Sequence, residues 1–113
     1  MIYEPGDLVL IPFPFSGLAV EKKRPVLILT FPDRYDDFIG LAVTSVPMSE
    51  AALPLNPASI WQGSLPKPSW VRLNKMYTLD TWAVMRHPGR VTPDFFSKVV
   101  QGVCHTVGCY QSV

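Results

Sequence analysis

The sequence predicts a small, mainly β domain, a barrel or half-barrel of short strands finished by one C-terminal α-helix. Three observations predict it. Twelve prolines scattered through 113 residues leave little room for long helices. Short apolar runs recur between turn-forming residues, which is the pattern of strands. Only the last stretch combines helical spacing with start and stop signals.

Taken in order, Pro5-Gly6 makes a first turn, and Leu8 to Ile11 makes an apolar strand that stops at Pro12. The segment "FPFSGLAVEKK" reads as a loop. Pro25 to Thr30, "PVLILT", is apolar throughout and suits a strand buried on both faces. Its proline, lacking an N–H, is expected only at the strand's start. "FPDRYDD" turns the chain, with Asp36 and Asp37 solubilising the turn.

Phe38 to Val46 makes a third strand whose sides alternate. Phe38, Gly40, Ala42 and Thr44 share one face, and Ile39, Leu41, Val43 and Ser45 share the other. Beyond Phe38 the Thr44 face is small, so a backbone or a ligand can approach it closely. Residues 47–68 hold five prolines and read mostly as loop, with short strands near "ALPLN" and "SIWQ". So long a connection in a compact domain is often functional.

"SWVRLNKMYTLD" resumes strand character. Val71 and Leu73 face one way; Trp70, Arg72 and Asn74 face the other. An aromatic beside a cation suits stacking on bases, and equally suits a half-buried Trp with a snorkelling Arg. In the terminal helix Thr92 caps, Pro93 takes the first helical position and Asp94 complements the dipole. Phe96, Val99, Val100, Val103 and Val107 are its expected core face, and Gly108 ends it.

At 113 residues the chain is one domain, residues 1–113, with material for one core. A net charge of +1 shows no global polybasic character, so a nucleic-acid contact has to come from a local patch. No apolar run reaches the length of a membrane span, and "MIYEPGDLVL" lacks a signal-peptide layout, so a cytoplasmic location is expected. Cys104, His105 and Cys109 lack metal-ligand spacing and read as ordinary thiols and a surface histidine. No metal and no cofactor are expected.

Familiar catalytic devices are missing. The chain has no phosphate-binding Gly-Lys-Ser/Thr loop, no Gly-x-Ser-x-Gly elbow and no dinucleotide fingerprint. His87 sits in "RHPGR", which reads as a surface turn. What remains is Arg24, Thr44 and Arg72, all at strand ends or open faces. Arginine forks match phosphate oxygens and stay charged; a hydroxyl can donate to phosphate. Such a set can stabilise the extra negative charge of a phosphorane-like transition state. Lys22 and Lys23 next to Arg24 read either as the mouth of a phosphate-holding groove or as a solvated loop.

"GDLVLIPFPFSG", "KKRPVLILT", "LAVTS" and "LPKPSWVRLNKMYTLD", in this order and spacing, resemble the MazF/PemK/Kid family of toxins over roughly residues 5 to 107. The resemblance implies an SH3-like β-barrel of the CcdB/PemK type with a C-terminal helix. It also implies a homodimer, an antitoxin with an acidic disordered tail, and metal-independent cleavage of single-stranded RNA through the neighbouring 2′-hydroxyl. By resemblance Arg24, Thr44 and Arg72 are the expected catalytic residues, and Lys22, Lys23, Ser45, Trp70 and Asn74 the expected RNA contacts. The chain departs from the family in two places. "SGLAVEKK" lacks the first-loop Gly-x-Glu-Gln, and Asn74 stands where members with a second catalytic arginine carry an aspartate base. Three readings follow: cleavage by positioning through Arg24 and Thr44, cleavage with another base such as Glu21, or binding without cleavage. A gyrase poison of the CcdB kind ranks below these, because the chain ends "CYQSV" without that relative's tryptophan tail.

Overall fold

The computed structural model describes residues 2–13 and 22–109. Seven strands precede one α-helix: β1 Asp7–Phe13, β2 Lys22–Ile28, β3 Asp37–Thr44, β4 Ala52–Leu55, β5 Ile60–Gly63, β6 Ser69–Asp80, β7 Arg86–Val91 and α1 Pro93–Val107. They form a single antiparallel sheet in the order β4-β6-β3-β2-β1-β7-β5.

The edge strands β4 and β5 are consecutive in the chain, separated only by Asn56–Ser59. Five chain steps reach about 17 Å at most. Six strand spacings in a flat sheet would span about 29 Å. The sheet therefore has to curl until its edges approach each other, which gives the barrel-like shape expected from the sequence. The link is compact because Pro57 opens a single 3₁₀ turn, Pro57–Ser59, whose last carbonyl accepts the Thr92 N–H at 2.8 Å.

Curling divides the core in two. One cluster, centred on Leu8, Leu27, Leu41, Val43, Val71 and Leu73, is covered by Phe95 and Val99 of α1. The other joins Val9, Ile11, Val26, Ile28 and Phe38 on the opposite face of β1 and β2. Burial on both faces is why these two strands read as unbroken apolar runs. At Gly40 a Cβ would lie 2.4 Å from Val26 Cγ1 and 3.1 Å from the Phe38 ring. The small residue on the Thr44 face thus makes room for core side chains at that point, not for a ligand.

Several boundaries differ from the sequence reading. Lys22 to Arg24 belong to β2, and Pro25 lies in its middle, opposite Leu10. The reason is one-sided pairing. Leu29 donates its N–H to Ile39 of β3, so Leu27 and Pro25, at two-residue steps, turn their backbone groups to the same side. Pairing with β3 has already stopped at Val26–Ala42, so the missing Pro25 N–H interrupts no ladder. β3 is displaced from the expected span and ends at Thr44, and β4 and β5 are the short strands expected within 47–68.

The helix keeps its predicted caps. Thr92 Oγ1 accepts from the Phe95 N–H at 3.2 Å, and Gly108 adopts φ 78°. Its core face is narrower than the spacing implies. Val100 and Val107 are 41% and 55% exposed, because α1 rests on the sheet through Phe95, Val99 and the Gly102–Leu73 contact.

A charge cluster ties the N-terminal segment to β7. Asp7, 1% exposed, accepts the Glu4 N–H at 2.9 Å and lies 2.8 Å from Arg90 Nη2 and 3.3 Å from His87 Nε2. The last two contacts, both to Oδ1, are close in distance without being aligned as hydrogen bonds. Arg90 also donates to Glu4 Oε1, and that hydrogen bond, with the charges of Asp7 and Glu4, holds its pKa above the usual guanidinium value against the effect of burial. His87 is exposed, as expected, but it belongs to a strand rather than a turn, with a buried partner in Asp7 and an edge-on Tyr3 ring. Among the described residues no helix is long and apolar enough to cross a membrane.

Candidate nucleic-acid interface

Where β2 and β3 part beyond Val26–Ala42, the sheet opens into a cleft of about 470 Å³. Its walls include Lys23, Arg24 and Pro25 from β2, Val43 and Thr44 from β3, Ser45 and Val46 just beyond it, and Leu65 to Lys67 from the long connection. Lys23, Arg24 and Lys67 bring three cations to it, and among the described residues no Asp, Glu or His lines it. The cations that the described wall residues contribute favour an anion at this cleft.

Thr44 is the last residue of β3, and its Oγ1 accepts the Val46 N–H at 3.1 Å. That bond uses one lone pair and fixes the hydroxyl, whose proton remains able to donate. Directly across the ladder stands Trp70 of β6. Trp70 is half-buried and belongs to a second, more apolar cleft of about 410 Å³. Pro54, Leu55, Ile60 and the segment Gly63–Ser69 complete much of that wall. Leu65 to Lys67 and Ser69 border both clefts, so the two adjoin.

Of the residues expected from the sequence, Lys23, Arg24, Thr44 and Ser45 converge on the cationic cleft, and Trp70 borders its neighbour. Arg72 and Asn74 line neither. Arg72 pairs with Ala52 of β4, and its Nε is a buried donor with no hydrogen-bond partner among the described residues. Asn74 is exposed on β6, in the stretch Arg72–Lys75 where the β3–β6 register shifts. Lys22 lies in β2 opposite Phe13, but its side chain, like Leu18, Ala19 and Glu21 of the first loop, lies outside the described residues. Lys67 is the residue sequence reasoning misses. Its neighbours Pro66 and Pro68 signal only a loop, and nothing local shows that the loop folds back over β2 and β3.

Cys104, His105 and Cys109 do not form a metal site, and no group of three potential ligands is placed to hold one among the described residues.

The fold and the cleft together define a small barrel with a cationic, hydroxyl-bearing opening at the end of one strand pair. The family model described as PemK-like, MazF-like toxin of type II toxin-antitoxin system matches residues 4–107, and the chain belongs to that family. Solved structures agree in fold. MazF in the MazE–MazF complex of Deinococcus radiodurans superposes with a TM-score of 0.79 at 18% identity, over 97% of this chain and 99% of that one. A mycobacterial endoribonuclease in complex with its cognate antitoxin gives 0.75 at 17% identity, over 97% and 99%. The Mycobacterium tuberculosis toxin MazF-mt6 gives 0.67 at 17% identity, over 88% and 96%. No curated protein matches the chain significantly.

Proposed function

We propose that this toxin is an endoribonuclease that cuts single-stranded RNA at the cationic cleft, without a metal. The observation that carries the reading is the convergence of Lys23, Arg24, Lys67 and the Thr44 hydroxyl on one cleft whose described walls carry no carboxylate. The scissile phosphate enters between β2 and β3. The neighbouring 2′-oxygen attacks phosphorus as its proton leaves, and the 5′-oxygen departs and gains a proton. The products are a 2′,3′-cyclic phosphate and a 5′-hydroxyl. Arg24 offsets the negative charge that develops on the non-bridging oxygens, and Thr44 donates a hydrogen bond to one of them. Arginine is too weak an acid to move the proton itself. No acid or base lies among the described wall residues, and Glu21 of the first loop lies outside the described residues.

The protein works as a homodimer held in check by an antitoxin. Relatives of the same fold occur as toxin–antitoxin complexes, and a cleft with three cations suits an acidic tail. A second reading, binding of RNA without cleavage, is favoured by the lack of a proton-transfer group among the described residues of the cleft. Incubation of the purified protein with a long single-stranded RNA in EDTA decides between them. Fragments ending in a 2′,3′-cyclic phosphate, absent with an all-DNA strand, are the expected result. Tight binding with no fragments would replace the enzyme by the binding module.

A further inference from the structure

The C-terminal end of α1 carries a feature that RNA cleavage does not use. Gly108 adopts a left-handed conformation, the Gly108 N–H donates to His105 O at 3.3 Å, and the Cys109 N–H donates to Cys104 O at 2.8 Å. This is a Schellman motif, which reverses the chain and sets the side chain of the residue after the glycine against the one five positions earlier. Those positions usually hold an apolar pair. Here both are free thiols, Cys104 half-buried and Cys109 exposed.

We propose that Cys104 and Cys109 are a redox modification site, closing reversibly into an intramolecular disulfide that clasps the last turn of α1. The motif supplies the geometry: the backbone bond at 2.8 Å fixes both ends of the short loop before any oxidant arrives. The two side chains of the motif are also neighbours. Hydrogen bonding to the Cys104 side chain, with desolvation, pushes the Cys109 thiol above its ordinary pKa, in keeping with that geometry. Oxidation uses a low-molecular-weight disulfide such as oxidised glutathione. One cysteine thiolate attacks a sulfur of that disulfide, forming a mixed disulfide and expelling one glutathione thiolate. The second cysteine thiolate then attacks the protein sulfur of the mixed disulfide, closing the ring and expelling the second. Two protein thiols are oxidised, one glutathione disulfide is reduced to two thiols, and the protons balance.

The test equilibrates the full chain with oxidised glutathione and reads intact mass and free thiols. The expected product has lost both thiols and two hydrogens, carries no glutathione, and is restored by reduced glutathione. Cys109→Ser is expected to stop at a single glutathione adduct on Cys104. A parent chain that ends with two adducts, with two free thiols or with a chain-to-chain disulfide would overturn the proposal. Amide exchange at Gly108 and Cys109 should slow several-fold on oxidation, and unchanged exchange would refute the clasp even if the bond forms.

Discussion

Thr44 and Trp70 stand directly opposite each other on the β3–β6 ladder, so their side chains leave the same face of the sheet as cross-strand neighbours. One borders the cationic cleft and the other the apolar cleft. Under the proposed function, a phosphate held at Thr44 would bring an adjacent nucleotide towards the half-buried indole. One register position thus sets a hydroxyl of the cationic cleft beside an indole of its neighbour.

Lys67, which borders both clefts, should act as a general phosphate contact. Lys67→Ala is expected to weaken binding of single-stranded RNA similarly across sequences. It should reduce the slope of log K against log salt by about 0.7, the value for one phosphate contact on a single strand. A salt titration of binding by parent and variant checks this. An unchanged slope would remove Lys67 from the interface.

The resemblance to the toxin family implies an aspartate base in some members at the position of Asn74, yet here Asn74 lies outside both clefts. Asn74→Asp should therefore change the cleavage rate by less than about tenfold. A regained general base would instead give about a hundred- to ten-thousandfold. Initial rates of the two proteins on one RNA separate these outcomes.

Gly63 and Gly89 face each other where β5 meets β7. A Cβ on Gly63 would sit 1.7 Å from Pro88 O, and its φ of 76° is already unfavourable for other residues. Gly63→Ala should cost about 3 kcal/mol or more in unfolding free energy, from overpacking and left-handed strain together. Urea melts with an unchanged m-value would measure it.

Arg90 is the cation that pairs both Glu4 and the buried Asp7. Its removal leaves Asp7 with His87 as its one remaining ion-pair contact among the described residues. Arg90→Ala is expected to destabilise the fold by about 3 kcal/mol, the scale for breaking a buried pair. The same urea melts apply, and a change below about 0.5 kcal/mol would show that the cluster contributes little.

Much of this architecture is written locally. Thr92, Pro93, Asp94 and Gly108 mark both ends of α1 because caps depend on near neighbours. The apolar runs of β1 and β2 signal burial on two faces for the same reason. What the chain conceals is set by contacts between distant segments. Helical spacing names a face but not its width, so Val100 and Val107 look like core and are exposed. Pro25 looks like a strand start because one-sided pairing cannot be read from sequence. Arg24 and Thr44 are legible through the resemblance to the toxin family, whereas Lys67 reaches their cleft only through the closure of the barrel. Asp7, His87 and Arg90 meet only when β7 pairs with β1.

The central claim is that Arg24 stabilises the phosphate during cleavage. The most direct measurement is the initial rate of cleavage of one single-stranded RNA in EDTA by the parent and by Arg24→Ala, each confirmed folded by circular dichroism. Loss of a donor of this kind is expected to lower the rate by about a hundred- to a thousandfold. A variant that cuts as fast as the parent would contradict the assignment of the cleft as the site of RNA cleavage.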